Sequence, residues 1–236
     1  MIVAERKPLD EIRGFVEEFG RVLVVGCGGC ATVCLAGGEM EVKIVGSALR
    51  IAAREAGRQQ SVLEDCVTRQ CEPEFAAAVL ERAEEEKTDA VLSLACGVGV
   101  NFLAERLGDV PVFPGLNTKF FGATEEPGVW VEMCAGCGNC MLHLTGGICP
   151  VARCSKSILN GPCGGSNKGK CEISPDVNCG WELIIERMKR LGTLDRLMEI
   201  TPARDWSSSP HGGPRRVVRE DLRELATEAA QEGAAE

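Results

Sequence analysis

Apolar positions along the first half of the chain alternate between two periods. Residues 21–26 (Arg-Val-Leu-Val-Val-Gly) form a short β-branched run that ends in glycine, the pattern of a strand buried on both faces. From Val42 to Gly57 the apolar side chains fall at Val45, Ala48, Leu49, Ala52, Ala53 and Ala56, which is helical spacing with a glycine stop. Residues 60–66 make a second strand candidate, a poor one because it holds Glu64 and Asp65. Glu72-Pro73 opens a helix reaching about Lys87. Ala90–Ala95 is a clear strand, followed by a helix over 98–107, and 110–113 is a fourth strand closed by Pro114-Gly115. Strands alternating with helices of this length predict βαβ units and a parallel sheet.

Beyond residue 128 periodicity gives way to cysteine, glycine and asparagine, and returns only at Trp181–Ile200, a helical stretch with an apolar stripe. Ser207 opens a Ser/Pro/Gly segment of linker composition, and Val217–Glu236 is charged and alanine-rich. The expected organisation is therefore three-part. Residues 1–127 form a small Rossmann-like α/β domain with a parallel sheet and flanking helices. Residues 128–206 form an irregular Cys-rich, ferredoxin-like domain ending in a C-terminal helix, and 207–236 form a flexible tail.

Composition sharpens this picture at one residue type. The 236-residue chain has 14 cysteines and no tyrosine. Met1–Pro8 carries Glu5, Arg6 and Lys7 and lacks the apolar stretch of a secretory signal. The uncharged run Val22–Gly38 is short and broken by glycines, so no membrane span is expected. These features predict a cytoplasmic protein, and in that compartment clustered cysteines bind metal more readily than they pair. A formal charge of −9 argues against nucleic acid as a partner.

Topology supplies the first metal argument. Cys27, Cys30 and Cys34 follow the first strand, Cys66 and Cys71 the second, and Cys96 the third. Loops after parallel strands share one sheet edge, the edge where ligands bind. Gly26-Cys-Gly-Gly-Cys30 occupies the place of a dinucleotide-binding turn, but its cysteines break that pattern. Cys27, Cys30 and Cys34, with Cys71 or Cys96, supply four thiolates for either a [4Fe-4S] cluster or zinc. Cys66 reads as an apolar filler.

Spacing supplies the second. Cys134, Cys137 and Cys140 form Cys-x2-Cys-x2-Cys, the core of the bacterial ferredoxin run. Its usual fourth ligand is missing at the expected place; the next cysteine, Cys149, precedes Pro150. Cys154, Cys163, Cys171 and Cys179 bring the total to eight, enough for two [4Fe-4S] clusters. A zinc ribbon is the rival, and the lack of a matching second knuckle favours iron–sulfur. His143 reads as a surface or supporting residue rather than a ligand.

The block Thr145-Gly-Gly-Ile-Cys-Pro-Val-Ala-Arg-Cys-Ser-Lys-Ser-Ile-Leu-Asn-Gly-Pro-Cys-Gly-Gly-Ser166, with Gly169-Lys-Cys-Glu172, resembles the cysteine-rich small subunit or C-terminal domain associated with methylenetetrahydrofolate reductase in acetogens and other anaerobes. The resemblance extends to Val25–Cys34, Arg69–Glu72, Ala95–Gly99, Pro114–Thr118 and Asp205-Trp-Ser207. It implies an electron-transfer role in one-carbon metabolism. Two to three [4Fe-4S] clusters would feed a separate flavin-bearing barrel subunit, and no flavin would sit in this chain. It places ligands at Cys27, Cys30, Cys34, Cys71, Cys96, Cys134, Cys137, Cys140, Cys149, Cys154, Cys163, Cys171 and Cys179, with zinc possible at one site, and has no counterpart for Cys66. Further electron-input subunits are compatible with it. The alternative is a zinc-stabilised scaffold that binds the reductase without redox work; a weaker third reading makes the sheet-edge site itself catalytic. Independently, a (β/α)8 barrel needs about 250 residues, and only four strand–helix units fit before residue 128.

Overall fold

A computed structural model of the protein describes residues 1–223 and divides into two units, Met1–Ala135 and Gly136–Glu236. In chain order, the first unit contains β1 (Ile2–Arg6), α1 (Leu9–Val16), β2 (Arg21–Cys27), α2 (Cys30–Val33), α3 (Glu39–Glu55) and β3 (Ser61–Val67). It continues with α4 (Pro73–Glu85), β4 (Ala90–Leu94), α5 (Gly97–Ala104), β5 (Val112–Pro114), β6 (Leu116–Glu126) and β7 (Val129–Cys134).

Four strands, in the order β3-β2-β4-β5, form the expected parallel sheet. Val22 to Val25 of β2 are fully buried, because both faces of that strand are covered. Val22 and Val24 pack with α1 and α3 through Ile12, Val42, Val45 and Leu49. Leu23 and Val25 pack with α4 and α5 through Ala76, Val79 and Leu103. Helix α3 begins three residues before the apolar periodicity does, since Glu41 reaches back to accept the Gly38 N–H at 2.8 Å. Strand β3 tolerates Glu64 because Arg50 of α3 pairs with it at 2.6 Å.

A second sheet, antiparallel in the order β1-β6-β7, was not legible as strands; Ile2 pairs with Phe121 and Phe121 with Cys134.

The second unit contains α6 (Pro150–Arg153), β8 (Ser166–Asn167), β9 (Lys170–Cys171), β10 (Ser174–Asn178) and α7 (Gly180–Leu191). The three short strands form an antiparallel sheet in the order β10-β9-β8. Trp181, Ile184 and Met188, spaced along one face of α7, are its buried apolar side chains, with Ile148, Ile158, Cys154 and Cys179 packed against them. The helix expected over 181–200 stops at Leu191. Gly192 takes the left-handed conformation (φ 68°), which ends α7, and a 3-10 turn (Leu194–Met198) follows. In the segment read as a tail, Ser209 is buried and Pro210–Gly212 forms another 3-10 turn. The expected Val217–Glu236 segment lies largely outside the described residues. No helix among the described residues is long and apolar enough to cross a membrane.

Candidate metal centres

The chain steps from β2 to β3 on one side and then crosses to β4 on the other. The helices that follow β2 and β4 leave on opposite faces, α3 against one core and α5 against the other. The carboxyl ends of β2 and β4 thus flank the topological switch point, where open α/β sheets bind ligands. Cys27 ends β2, Cys30 opens α2, and Cys96 precedes α5.

One side chain ties these loops together. Gln70 is fully buried, and its amide nitrogen donates to the Val25 and Gly26 carbonyls, both at 2.9 Å. Its oxygen accepts from the Ser93 hydroxyl at 2.6 Å. The loop after β3 is thereby fixed to β2 and β4, which places Cys71 beside them. Gly28 N–H to Val67 carbonyl and Cys27 N–H to Gly37 carbonyl, each 2.8 Å, close the loop after β2.

Cys71 is near enough to Cys27 and to Cys96 for a thiolate on either to act on it. Burial pushes the Cys71 thiol up, and the charge of Cys27, then that of Cys96, pushes it further. A soft cation among them would relieve that repulsion, so the donor set suits a thiophilic metal. Cys34 behaves differently: its buried thiol donates to the Ile2 carbonyl of β1 at 3.4 Å, and burial, with a smaller contribution from Cys30, raises it. Cys66 lies opposite Gly26 in the parallel register, where a Cβ on residue 26 would come within 2.8 Å of its sulfur. Burial, then the charge of Cys27, raises that thiol as well.

In the second unit, Cys154, Cys163, Cys171 and Cys179 line one cavity of about 140 Å³, walled also by Pro162, Trp181 and Ile185. That space is roughly ten times the ~10–15 Å³ a cavity needs on the same measure to hold one water molecule. Cys154 ends α6 and Cys179 caps α7. Those ends meet because residue 180 is glycine: a Cβ there would overlap the Arg153 carbonyl and lie 3.0 Å from the Cys154 nitrogen. Gly180→Ala is accordingly expected to cost the second unit about 1–3 kcal/mol by overpacking. Urea unfolding followed by Trp fluorescence, with metal content measured in parallel, checks this; unchanged stability and loading would refute it.

The sulfurs of this cavity are well supplied with donors. The Ile173 N–H and then the Ser155 hydroxyl hold the Cys171 thiol below the ordinary range, with Lys156 and the Ser174 N–H adding to the effect. Gly165 N–H donates to Cys163 Sγ at 3.4 Å. Trp181 is almost wholly buried, and its indole N–H donates to the Ile158 carbonyl at 2.8 Å.

The Cys-x2-Cys-x2-Cys run spans the division between units, Cys134 ending β7 and Cys137 and Cys140 following. Cys137 Sγ accepts from the Arg204 guanidinium at 2.9 Å, and the Ser208 hydroxyl donates to the Cys137 carbonyl at 3.3 Å. Arg215 donates to the Gly136 and Ser208 carbonyls at 2.9 and 2.8 Å. Residues 204–215 therefore fold over the 136–139 loop, contacts that no motif in the sequence announced. Cys149 caps the start of α6, half-buried. Among the described residues, no three cysteine, histidine or carboxylate side chains are already drawn together in the geometry of a single metal ion.

Residues 113–207 match the family described as methylene-tetrahydrofolate reductase C terminal. The matched segment holds all eight cysteines from Cys134 to Cys179. No curated protein and no solved structure matches the chain.

Proposed function

We propose that this chain is the electron-transfer subunit of a methylenetetrahydrofolate reductase complex, passing electrons through [4Fe-4S] clusters to a separate flavin-bearing catalytic subunit. The observation that carries the reading is the four-cysteine cavity, Cys154, Cys163, Cys171 and Cys179, inside the segment related to that reductase. A single ion needs four donors about one point, whereas a cubane of four irons takes each thiolate at its own corner. Four sulfurs spaced around a cavity suit the second arrangement. Such a cluster supplies reversible one-electron chemistry.

The protein's part is to bind, shield and tune. Cys163 and Cys171 receive hydrogen bonds at sulfur, and Trp181 and Ile185 form an apolar part of the wall. Cys134, Cys137, Cys140 and Cys149 complete the eight-cysteine complement that the sequence offers for two clusters, with the Arg204 guanidinium beside Cys137. Cys27, Cys30, Cys71 and Cys96 are assigned to a third thiophilic centre at the sheet edge, the Cys34 thiol being engaged by the Ile2 carbonyl.

Anaerobic purification followed by iron and acid-labile sulfide analysis tests the proposal. A brown protein with about eight or more irons per chain, bleached by a low-potential reductant, is the expected result. A colourless protein with fewer than about four irons overturns it, and stoichiometric zinc without visible absorbance replaces it by the scaffold reading. Anomalous scattering at the iron and zinc edges then identifies the metal at the sheet edge.

A further inference from the structure

Two opposite charges stand beside one sulfur of the four-cysteine cavity. Lys156 lines the cavity, and its ammonium stands 3.8 Å from Cys163 Sγ. Glu172 Oε1 stands 3.9 Å from the same sulfur and is bonded to Lys156. Both are held in place by the fold. Lys156 lies in the turn after α6, which Ser157 N–H closes on the Cys154 carbonyl at 2.8 Å. Glu172 follows Cys171 of β9, and Gly165 makes room for its carboxylate, since a Cβ there would overlap it. Among the residues lining the cavity, Lys156 is the basic one and Glu182 the acidic one, and Glu182 accepts from the Ser166 hydroxyl rather than facing Cys163 through a hydrogen bond.

We propose that Lys156 and Glu172 are an opposed electrostatic pair that sets the reduction potential of the centre held by this cavity. The inference rests on the iron–sulfur reading above. One electron enters from a low-potential reductant, no covalent bond forms or breaks, and Lys156 keeps its proton. The added charge spreads onto the thiolate sulfurs, so a cation at Cys163 favours the reduced state and an anion disfavours it. At nearly equal distances their effects nearly cancel, and removing either one alone exposes the other.

The test is potentiometric titration of the full chain under anaerobic conditions with titanium(III) citrate, following the paramagnetic signal that Cys171→Ser removes. Iron is measured in every variant. Lys156→Gln is expected to lower the one-electron reduction equilibrium at least about threefold, which is roughly 28 mV. Glu172→Gln is expected to raise it by a similar factor, and the double variant to return near the original value. Singles that shift in the same direction, or do not shift while iron stays constant, overturn the proposal. So does loss of iron from both singles, the pair then being structural. If only Lys156→Gln fails to load, Glu172→Gln must still raise the equilibrium, and no rise overturns it. Absence of iron from the unsubstituted chain refutes the iron–sulfur reading itself, a distinct outcome.

Discussion

Stripping bound metal from the chain is expected to unfold residues 136–200 while residues 1–135 stay folded. The asymmetry follows from where apolar side chains are buried. The first unit packs its parallel sheet between two layers, with Val22 to Val25, Leu92, Leu94 and Leu103 all fully buried. Among the described residues, the apolar core of the second unit buries Trp181, Ile184 and Met188, and two residues packed against them are Cys154 and Cys179. Its strands are two to five residues long. So small a core does not offset the entropy of ordering the long loops around it. Metal held by four thiolates, as proposed above, would supply the difference, on the scale of about 10–16 kcal/mol known for structural zinc in small domains. Hydrogen exchange read by mass spectrometry separates the units directly. Amides of α7 should lose protection on chelation under reducing conditions, and those of β2 and β4 should keep it. Protection of α7 in metal-free protein would show that the unit needs no metal, and would remove the structural argument for the cavity as a metal site.

How far the sequence revealed this arrangement depends on which interactions were local. Strands β2 and β4 are continuous apolar runs between helices, so their period and flanking residues identified them, and the carboxyl edge followed from parallel topology. Strands β1 and β6 resisted the same reading. Ile2, Val3 and Ala4 are consecutive buried residues followed by charge, without alternation, and β6 is largely polar. What makes them strands is each other, across more than a hundred residues. The same logic governs the cysteines. Cys27 and Cys96 follow strands whose order places them, whereas Cys154, Cys163, Cys171 and Cys179 come from turns and short elements with no periodicity. Their gathering depends on Gly180, Trp181 and a three-stranded sheet that no pattern of spacing encodes. The end of α7, by contrast, was written locally in Gly192, a stop that the apolar stripe obscured.

The other large effect is expected at Gln70. Replacing it with leucine keeps the volume and removes every polar contact the side chain makes. The Val25 and Gly26 carbonyls lose a donor and the Ser93 hydroxyl loses its acceptor, all at a fully buried position. Leaving buried groups unpaired costs about 1–3 kcal/mol each, so Gln70→Leu is expected to destabilise the first unit by roughly 3 kcal/mol or more. The loss is local as well as global. Gly99 approaches Gln70 so closely that a Cβ would come within 3.0 Å, which leaves a branched replacement little room to find another position. The loop after β3 should then detach from the ends of β2 and β4 before the sheet melts, and Cys71 should leave Cys27 and Cys96. Two measurements distinguish this from a general loss of stability: the urea midpoint, and the rate at which a maleimide modifies Cys71 in metal-free protein. Both should change in Gln70→Leu. Gln70→Glu keeps the acceptor for Ser93 but loses both donated bonds, so it should fall with the leucine variant. If Gln70→Glu instead matches the parent, the bonds to β2 contribute nothing, and Cys71 must be positioned by the turn that follows it.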